Sequence, residues 1–102
     1  MKEYDIFIPL YYSDNSLVEA KKFQSLQTKL LNHFEGVTFI PRPLEGFWQV
    51  GQVTFRDEVV VYRVLAKNAR NARRLLKTLK EDCKKVFRQP EILVMEREAD
   101  TF

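Results

Sequence analysis

The chain has few of the residues that build metal sites, disulfide frameworks and membrane spans. It contains one cysteine, Cys83, and one histidine, His33, which are too few for an internal disulfide or a four-ligand zinc site. Its apolar runs cover only a few residues, far short of the roughly 20 that a transmembrane helix needs. The N-terminal segment lacks a signal peptide's small-residue cleavage site and carries Glu3 and Asp5. We therefore expect a cytoplasmic protein without a metal or a cofactor.

Glycine and proline are also scarce, with 3 and 4 residues, and no repeat or low-complexity tract is present. The composition is 45% hydrophobic and 13% aromatic, which is typical of a folded chain and not of a disordered one. A chain of 102 residues has enough material for one hydrophobic core. We expect one domain over residues 1–97, with a flexible tail at 98–102.

Hydrophobic periodicity predicts six elements in the order β-α-β-β-α-β. Strands are predicted at 4–11, 37–40, 53–66 and 91–97, with Pro9 ending the pairing of the first strand near residue 8. Ser16 and Glu19 have the spacing of a capping box, so the first helix is expected to start at Ser16. Asn68 is the expected N-cap of the second helix, whose apolar face steps by three and four residues from Ala69 to Val86.

This element order favours the ferredoxin-like α+β sandwich, in which two helices cover one face of a four-stranded antiparallel sheet. The first and third strands are then central, and residues 41–52 form a long connection. The third strand is apolar on both faces, although the helices cover only one. We expect a second copy of the chain to cover the other face, through Phe7, Val59 and Val61. The alternative is that the 41–52 connection folds over it.

Three adjacent charges, Arg56, Asp57 and Glu58, begin the apolar third strand. Neighbouring strand residues point to opposite faces, so Asp57 and Glu58 cannot work together as a general acid and base. One interpretation places these charges at the exposed start of the strand. The other makes Asp57 the polar anchor of a ligand pocket with Phe55, Trp48 and either Tyr11 or Tyr12. Trp48, the one tryptophan, serves either as a core residue or as a stacking wall.

The segment around the second helix has a higher net positive charge than the whole chain, whose net charge is +3. Residues 68–88 contain eight basic and two acidic residues, a local charge of +6. This stripe is either an ordinary solvated helix face or a surface for the phosphates of a nucleic acid. The second interpretation involves the residues Arg70, Arg73, Arg74, Lys77, Lys80, Lys84 and Arg88.

Two resemblances to known families bear on these interpretations. The segment IFIPLY resembles the first-strand motif of RNA-recognition domains, but the third strand has Phe55 alone where that family has two aromatics, with Asp57 at the second position. Residues 36–94 resemble small uncharacterised bacterial α+β proteins with a Gly-x-Trp connection, an acidic start of the third strand and Phe-x-Gln before the last. That resemblance implies the same fold and a shared role for Trp48, Asp57, Glu58 and Gln89, but no activity.

The sequence contains no phosphate-binding glycine loop and no nucleophile with a neighbouring base. His33, at the end of the first helix, is interpreted as a cap or surface residue, and Cys83 as a packing residue. The sequence therefore predicts an association domain that forms a homodimer, with no visible catalytic apparatus. The alternatives are a nucleic-acid-binding protein and a small-molecule binder or enzyme.

Overall fold

A computed structural model describes the backbone of all 102 residues. It also describes the side chains of all residues except Arg42, Pro43, Leu44, Trp48, Val50, Phe55 and Arg56. The elements are β1 (Lys2–Pro9), α1 (Ala20–His33), β2 (Gly36–Val50), β3 (Val53–Ala66), α2 (Ala69–Val86) and β4 (Val94–Glu98). The predicted order of strands and helices is confirmed.

The four strands form one antiparallel sheet in the order β2-β3-β1-β4, so that β1 and β3 are central as expected. In the register of β1 with β3, Tyr4 lies opposite Val64 and Ile6 lies opposite Tyr62. Residues that face each other across an antiparallel pair project to the same side of the sheet. The alternating apolar residues of the two central strands therefore form one continuous apolar surface.

The hydrophobic core lies between that surface and both helices. Tyr62 and Ile6 are buried in the same cluster as Leu30 of α1 and Leu76 of α2, and Phe87 closes it just beyond the end of α2. Because side chains from both helices belong to one cluster, the helices cover the same face of the sheet. We call the other face, which no helix covers, the open face.

The predicted connection at 41–52 is wrong, since the segment continues β2 as a strand. β2 and β3 form a long hairpin that ends in a two-residue turn at Gly51 and Gln52. Gly51 has a φ of 61°, the positive value that a type II′ turn requires at its first central residue. Pro41 and Pro43 lie at a register irregularity between Ile40 and Leu44. Proline is tolerated there because β2 is an edge strand.

The pairing of β1 also extends further than Pro9 led us to expect. The N–H of Leu10 donates to the carbonyl of Glu58 in β3, at 2.9 Å. On the other side of β1, the N–H of Phe7 donates to the carbonyl of Leu93, beside the start of β4. The nitrogen of Pro9 points to this second side, at a level of the sheet that β4, which begins at Val94, does not reach. Its missing N–H therefore costs the sheet no hydrogen bond.

The predicted capping box at the start of α1 is wrong. α1 starts one residue after Glu19, and Glu19 makes no side-chain capping bond. The N–H of Ser16 instead donates to the carboxylate of Asp14, at 2.9 Å. The carboxylate of Glu19 accepts the hydroxyl of Tyr12 and pairs with Lys22. These side-chain partners replace the backbone N–H groups that a capping box would use.

The predicted N-cap of α2 is confirmed, since the side chain of Asn68 accepts the N–H of Asn71 at 3.2 Å. The predicted apolar face of α2 is buried at Ala72, Leu76, Leu79 and Cys83. No helix of the chain combines the length and apolar character needed to cross a membrane, within the part that the structure describes.

Candidate functional site

Asp57 lies in the part of β3 that pairs with the outer half of β2, and its side chain is exposed. Its direct partner in β2 is Gly46, which has no side chain. The residue directly across from the carboxylate therefore contributes no side chain, and we call this position the Asp57 opening. Glu58, the next residue along β3, is half-buried and projects to the opposite face, so the two carboxylates do not form a pair.

Trp48 and Phe55 lie beside this opening in the strand register, where they are direct partners across β2 and β3. Trp48 therefore belongs to a strand, whereas the sequence predicted a connection. The side chains of Trp48 and Phe55 are outside the described residues, so a stacking wall at this place stays a prediction.

At the end of β1, the backbone carbonyls of Glu58 and Tyr11 accept hydrogen bonds, the second of them from the side chain of Gln89. The hydrogen bond from Leu10 to the Glu58 carbonyl holds Tyr11 beside β3. The side-chain amide of Gln89 donates to the carbonyl of Tyr11 at 3.4 Å and to that of Phe87 at 3.1 Å. Gln89 thus ties the end of α2 to the segment that follows β1. Asp57 lies next to Glu58 on the other face of β3. A shared role for Trp48, Asp57, Glu58 and Gln89 stays a prediction.

The sequence analysis named Tyr12 as an alternative pocket residue, but it missed the cluster that forms around Tyr12 at the same junction. The Tyr12 hydroxyl donates to Glu19 and accepts from the ammonium group of Lys22, which also donates to the carbonyl of Val86 at 3.0 Å. The guanidinium carbon of Arg88 lies 4.7 Å from the centre of the Tyr12 ring. Tyr12 is buried although it lies in a connecting segment, and its neighbours come from three parts of the chain. No local spacing in the sequence indicated this cluster.

Glu19 and Lys22 of this cluster both stay charged at neutral pH. The hydrogen bond from Tyr12, assisted by Lys22, lowers the pKa of Glu19 to about 2. The same tyrosine, with Glu19, raises the pKa of Lys22. Neither group is tuned toward neutral pH, as a general acid or base would be. The cluster therefore positions the segment after β1 against the end of α2.

A second missed cluster lies on the open face and consists of Glu3, Asp5, Arg63 and Arg97. Asp5 is only 5% exposed. Arg63 binds both of its carboxylate oxygens, at 2.9 and 3.1 Å, and Arg97 binds one of them at 2.9 Å. Arg97 also donates to Glu3, with a shortest distance of 2.7 Å. Burial raises the pKa of Asp5, but the hydrogen bonds from the two arginines outweigh it and hold that pKa below its usual value.

This cluster places charged side chains on the open face, beside the apolar residues that were predicted there. Apolar surface remains at Phe7 and Val59, which are half-buried, and at Met95, which is 45% exposed. Val61 is 2% exposed within the single chain, so it has little surface left for a partner. Of the three residues predicted for a dimer interface, Phe7 and Val59 therefore have the most accessible surface.

The basic stripe of α2 is partly neutralised within the chain. Arg73 forms a two-bond ion pair with Glu96, Lys80 pairs with Glu91 at 3.0 Å, and Lys84 pairs with Glu81 at 3.1 Å. Arg88 lies against the Tyr12 ring. Arg70, Arg74 and Lys77 remain without a carboxylate partner in the described part of the chain. Nucleic-acid binding by this helix stays a prediction.

Cys83 and His33 are the remaining candidates from the sequence analysis, and both have structural surroundings that agree with a packing or surface role. Burial raises the pKa of the Cys83 thiol to about 11, so this cysteine is not activated as a nucleophile. His33 is exposed in the last turn of α1, in agreement with a surface role. Among the described residues, no three His, Cys, Asp or Glu side chains are grouped closely enough to hold a metal ion.

Comparison with known proteins gives one informative likeness. No protein-family model matches the chain, and no curated protein matches it significantly. Among solved structures, the chain is similar to a phage SAM lyase in complex with S-methyl-5′-thioadenosine. The TM-score is 0.67 with 14% identity, over 95% of this chain and 80% of that one. The chain therefore shares its α+β fold with that enzyme.

Proposed function

We propose that the protein binds a small molecule at the start of β3, beside Asp57, on a ferredoxin-like framework. The observation that carries the proposal is the exposed Asp57 carboxylate with Gly46 directly across from it. Ligand sites are concave, and a glycine opposite a carboxylate leaves room for a group to reach that carboxylate. In this proposal the Asp57 carboxylate is the polar anchor of the ligand, and the missing side chain of Gly46 provides space for it.

The ferredoxin-like framework is supported by the sheet order. Read from the other edge, the order is β4-β1-β3-β2, with every neighbouring pair antiparallel and both helices on one face. This is the arrangement expected from two split β-α-β units. The likeness to the lyase over 95% of the chain supports the same framework.

The ligand class that we propose is a thioadenosine nucleoside or its sulfonium parent. The support is the likeness to a SAM lyase whose structure holds S-methyl-5′-thioadenosine. Such a nucleoside offers ribose hydroxyls, which donate to a carboxylate, and a purine, which stacks on aromatic rings. In this proposal the Asp57 carboxylate accepts hydrogen bonds from the ribose hydroxyls. Trp48 and Phe55, its neighbours in the register, are the aromatic candidates for the purine.

A titration monitored by tryptophan fluorescence tests this proposal, because Trp48 is the one tryptophan of the chain. We expect S-methyl-5′-thioadenosine or S-adenosylmethionine to change the emission in a saturable way. Asp57→Asn should weaken binding by about ten- to a hundredfold, because a hydrogen bond to a charged group is worth about 1.5–3 kcal/mol. Asp100→Asn removes an exposed carboxylate from the C-terminal segment and is the matched control.

Two results would contradict the proposal. One is the absence of a saturable signal with both ligands, confirmed by calorimetry. The other is an equal affinity in the wild type, Asp57→Asn and Asp100→Asn. Chromatography of the same mixtures shows whether S-adenosylmethionine is consumed, and so distinguishes a binding protein from an enzyme.

The second candidate function is self-association through the open face. The specific support is the apolar surface of Phe7, Val59 and Met95 beside the charge cluster of Asp5, on a face that no helix covers. Burial of such side chains is worth about 1.5–3 kcal/mol each. Light scattering after size-exclusion chromatography should give twice the mass of the 12.1 kDa chain.

Matched variants separate this interface from other exposed apolar residues. Phe7→Glu should return the protein to a monomer, whereas Leu31→Glu, at an exposed position of α1, should not. A 12.1 kDa species for the wild type at high concentration would rule out the association.

A further inference from the structure

A groove of about 240 Å³ lies between α1 and α2, on the side of the sheet that the helices cover. Asp57 projects from the open face, so this groove is separate from the Asp57 opening. At about 30 Å³ per water molecule, the groove has room for about eight waters or for an organic molecule with a similar number of non-hydrogen atoms. We call it the interhelical groove.

The floor of the interhelical groove is apolar. It is lined by Leu26 of α1, by Leu79 and Cys83 of α2, and by Phe87 just beyond α2, all of which belong to the core. Val86, on the rim, is 38% exposed, and Leu79 keeps 9% of its surface exposed. A ligand in the groove therefore meets accessible apolar surface, mainly at Val86.

One wall of the groove is a row of polar side chains on α1. Lys21, Ser25 and Lys29 follow each other at steps of four residues, so they lie on one side of the helix over a length of about 12 Å. All three side chains are exposed. Neither lysine has a carboxylate partner among the described side chains, so both ammonium groups are accessible to an anion.

Lys22 holds one end of the groove in shape. Its ammonium group donates to the carbonyl of Val86 at 3.0 Å and to the hydroxyl of Tyr12, and it pairs with Glu19 at 3.4 Å. These contacts join α1 to the end of α2. The groove is therefore formed before a ligand binds, which lowers the entropic cost of binding.

The charge of the groove is positive. Asp82 of α2 is the one acidic residue among the lining residues that the structure describes. Burial raises the pKa of the Cys83 thiol, Lys29 opposes this increase and Asp82 adds to it, so both charged groups act close to the floor. With Lys22 compensated by Glu19, Lys21 and Lys29 leave the groove with a net charge of about +1, which a single anionic group would balance.

We infer that the interhelical groove binds a small amphipathic monoanion, such as a carboxylate with a short alkyl chain. The acid group of this ligand pairs with Lys29, while Lys21 and Ser25 offer further donors along the same row. The alkyl chain lies against Val86, Leu79 and the alkyl stems of the lysines. An anion without an apolar part would use only the lysines, and a neutral apolar molecule would use only the floor.

Hexanoate, acetate and 1-hexanol are the probes of this inference, used in separate NMR titrations of the full chain at pH 7 and constant ionic strength. We expect hexanoate to shift the backbone amides of residues 21–29 and 79–87 in a saturable way. Acetate has the charge without the chain, and 1-hexanol has the chain without the charge. Each of these two should therefore bind several-fold more weakly than hexanoate.

Three variants test the charges of the groove. Lys29→Gln should weaken hexanoate binding about two- to fivefold, the range expected for the loss of an exposed ion pair. Asp82→Asn should strengthen it, because it removes the carboxylate that opposes the ligand. Lys85→Gln makes the same charge change as Lys29→Gln at an exposed position of α2 that does not line the groove, and should leave the affinity unchanged. Thermal unfolding of each variant checks that the fold is retained.

The inference is overturned by any of three results. The first is that hexanoate produces no saturable shifts in the two segments, or shifts only residues of the open face. The second is that acetate or 1-hexanol binds as tightly as hexanoate. The third is that Lys29→Gln binds hexanoate as tightly as Lys85→Gln does. Because the probes and the variants differ from those used for Asp57, a failure here leaves the proposed function untouched.

Discussion

Replacing Asp5 with Asn should destabilise the fold strongly, although the two side chains have nearly the same shape. Asp5 is 5% exposed and accepts three hydrogen bonds from Arg63 and Arg97, at 2.9, 3.1 and 2.9 Å. An asparagine in its place presents an NH₂ group to donors and carries no charge to balance the two guanidinium groups. Two like charges would then remain close together on the open face.

The magnitude follows from the burial of the three groups. Removing one partner of a buried ion pair costs about 3–5 kcal/mol when the remaining charge is fully buried. Here the side chains of Arg63 and Arg97 are 38% and 39% exposed, and Arg97 keeps its bond to Glu3. Water therefore compensates part of the loss. We expect a decrease of about 2–3 kcal/mol in the free energy of unfolding, or about 10–20 °C in Tm.

Urea unfolding monitored by circular dichroism measures this decrease. Asp100→Asn is the matched control, since Asp100 is exposed near the C-terminus and should change the stability by less than about 0.5 kcal/mol. A cost below about 1 kcal/mol for Asp5→Asn would refute the reasoning, because the cluster would then contribute no more than an exposed ion pair.

Three further predictions concern pH, helix capping and the thiol. Because the fold lowers the pKa of Asp5, the ionised carboxylate stabilises the protein fully above pH 3.8, the usual pKa of aspartate, and this stabilisation is lost as the pH falls through the lowered pKa. Measurements of the unfolding free energy at decreasing pH should show a smaller loss in Asp5→Asn than in the wild type. Asn68→Ala should cost about 1 kcal/mol and Ser16→Ala less than half of that in urea unfolding, because only Asn68 caps a helix. A thiol reagent should label Cys83 only at the rate of unfolding, and fast labelling of the native protein would contradict its burial.

Much of the architecture could be predicted from local patterns. The apolar spacing of α2 and its cap at Asn68 depend on residues within one or two helical turns, so the sequence shows them directly. The alternation of Val60 and Tyr62 with Val59 and Val61 likewise placed the core face of β3 correctly. The errors arose where a local pattern had a long-range competitor. Ser16 and Glu19 have the spacing of a capping box, but Glu19 binds Tyr12 and Lys22 instead of capping the helix.

The candidate sites depended more on pairing than on pattern. Asp57 was recognisable as a carboxylate beside an apolar strand, but its opening exists because the register places Gly46 across from it. Residues 41–50 were not predicted as a strand because their prolines and glycine are common in loops, and only pairing with β3 orders them.

The sequence alone determined which residues favour helix and strand and which faces are apolar. These properties depend on neighbours a few residues apart. Only the tertiary structure decided which charges meet. Arg63 and Arg97 reach Asp5 across 58 and 92 positions of the chain, and Glu96 reaches Arg73 across 23. Such contacts depend on strand register and on helix docking. A shift of one residue in a strand would turn Asp5, Arg63, Glu96 or Arg97 to the other face of the sheet.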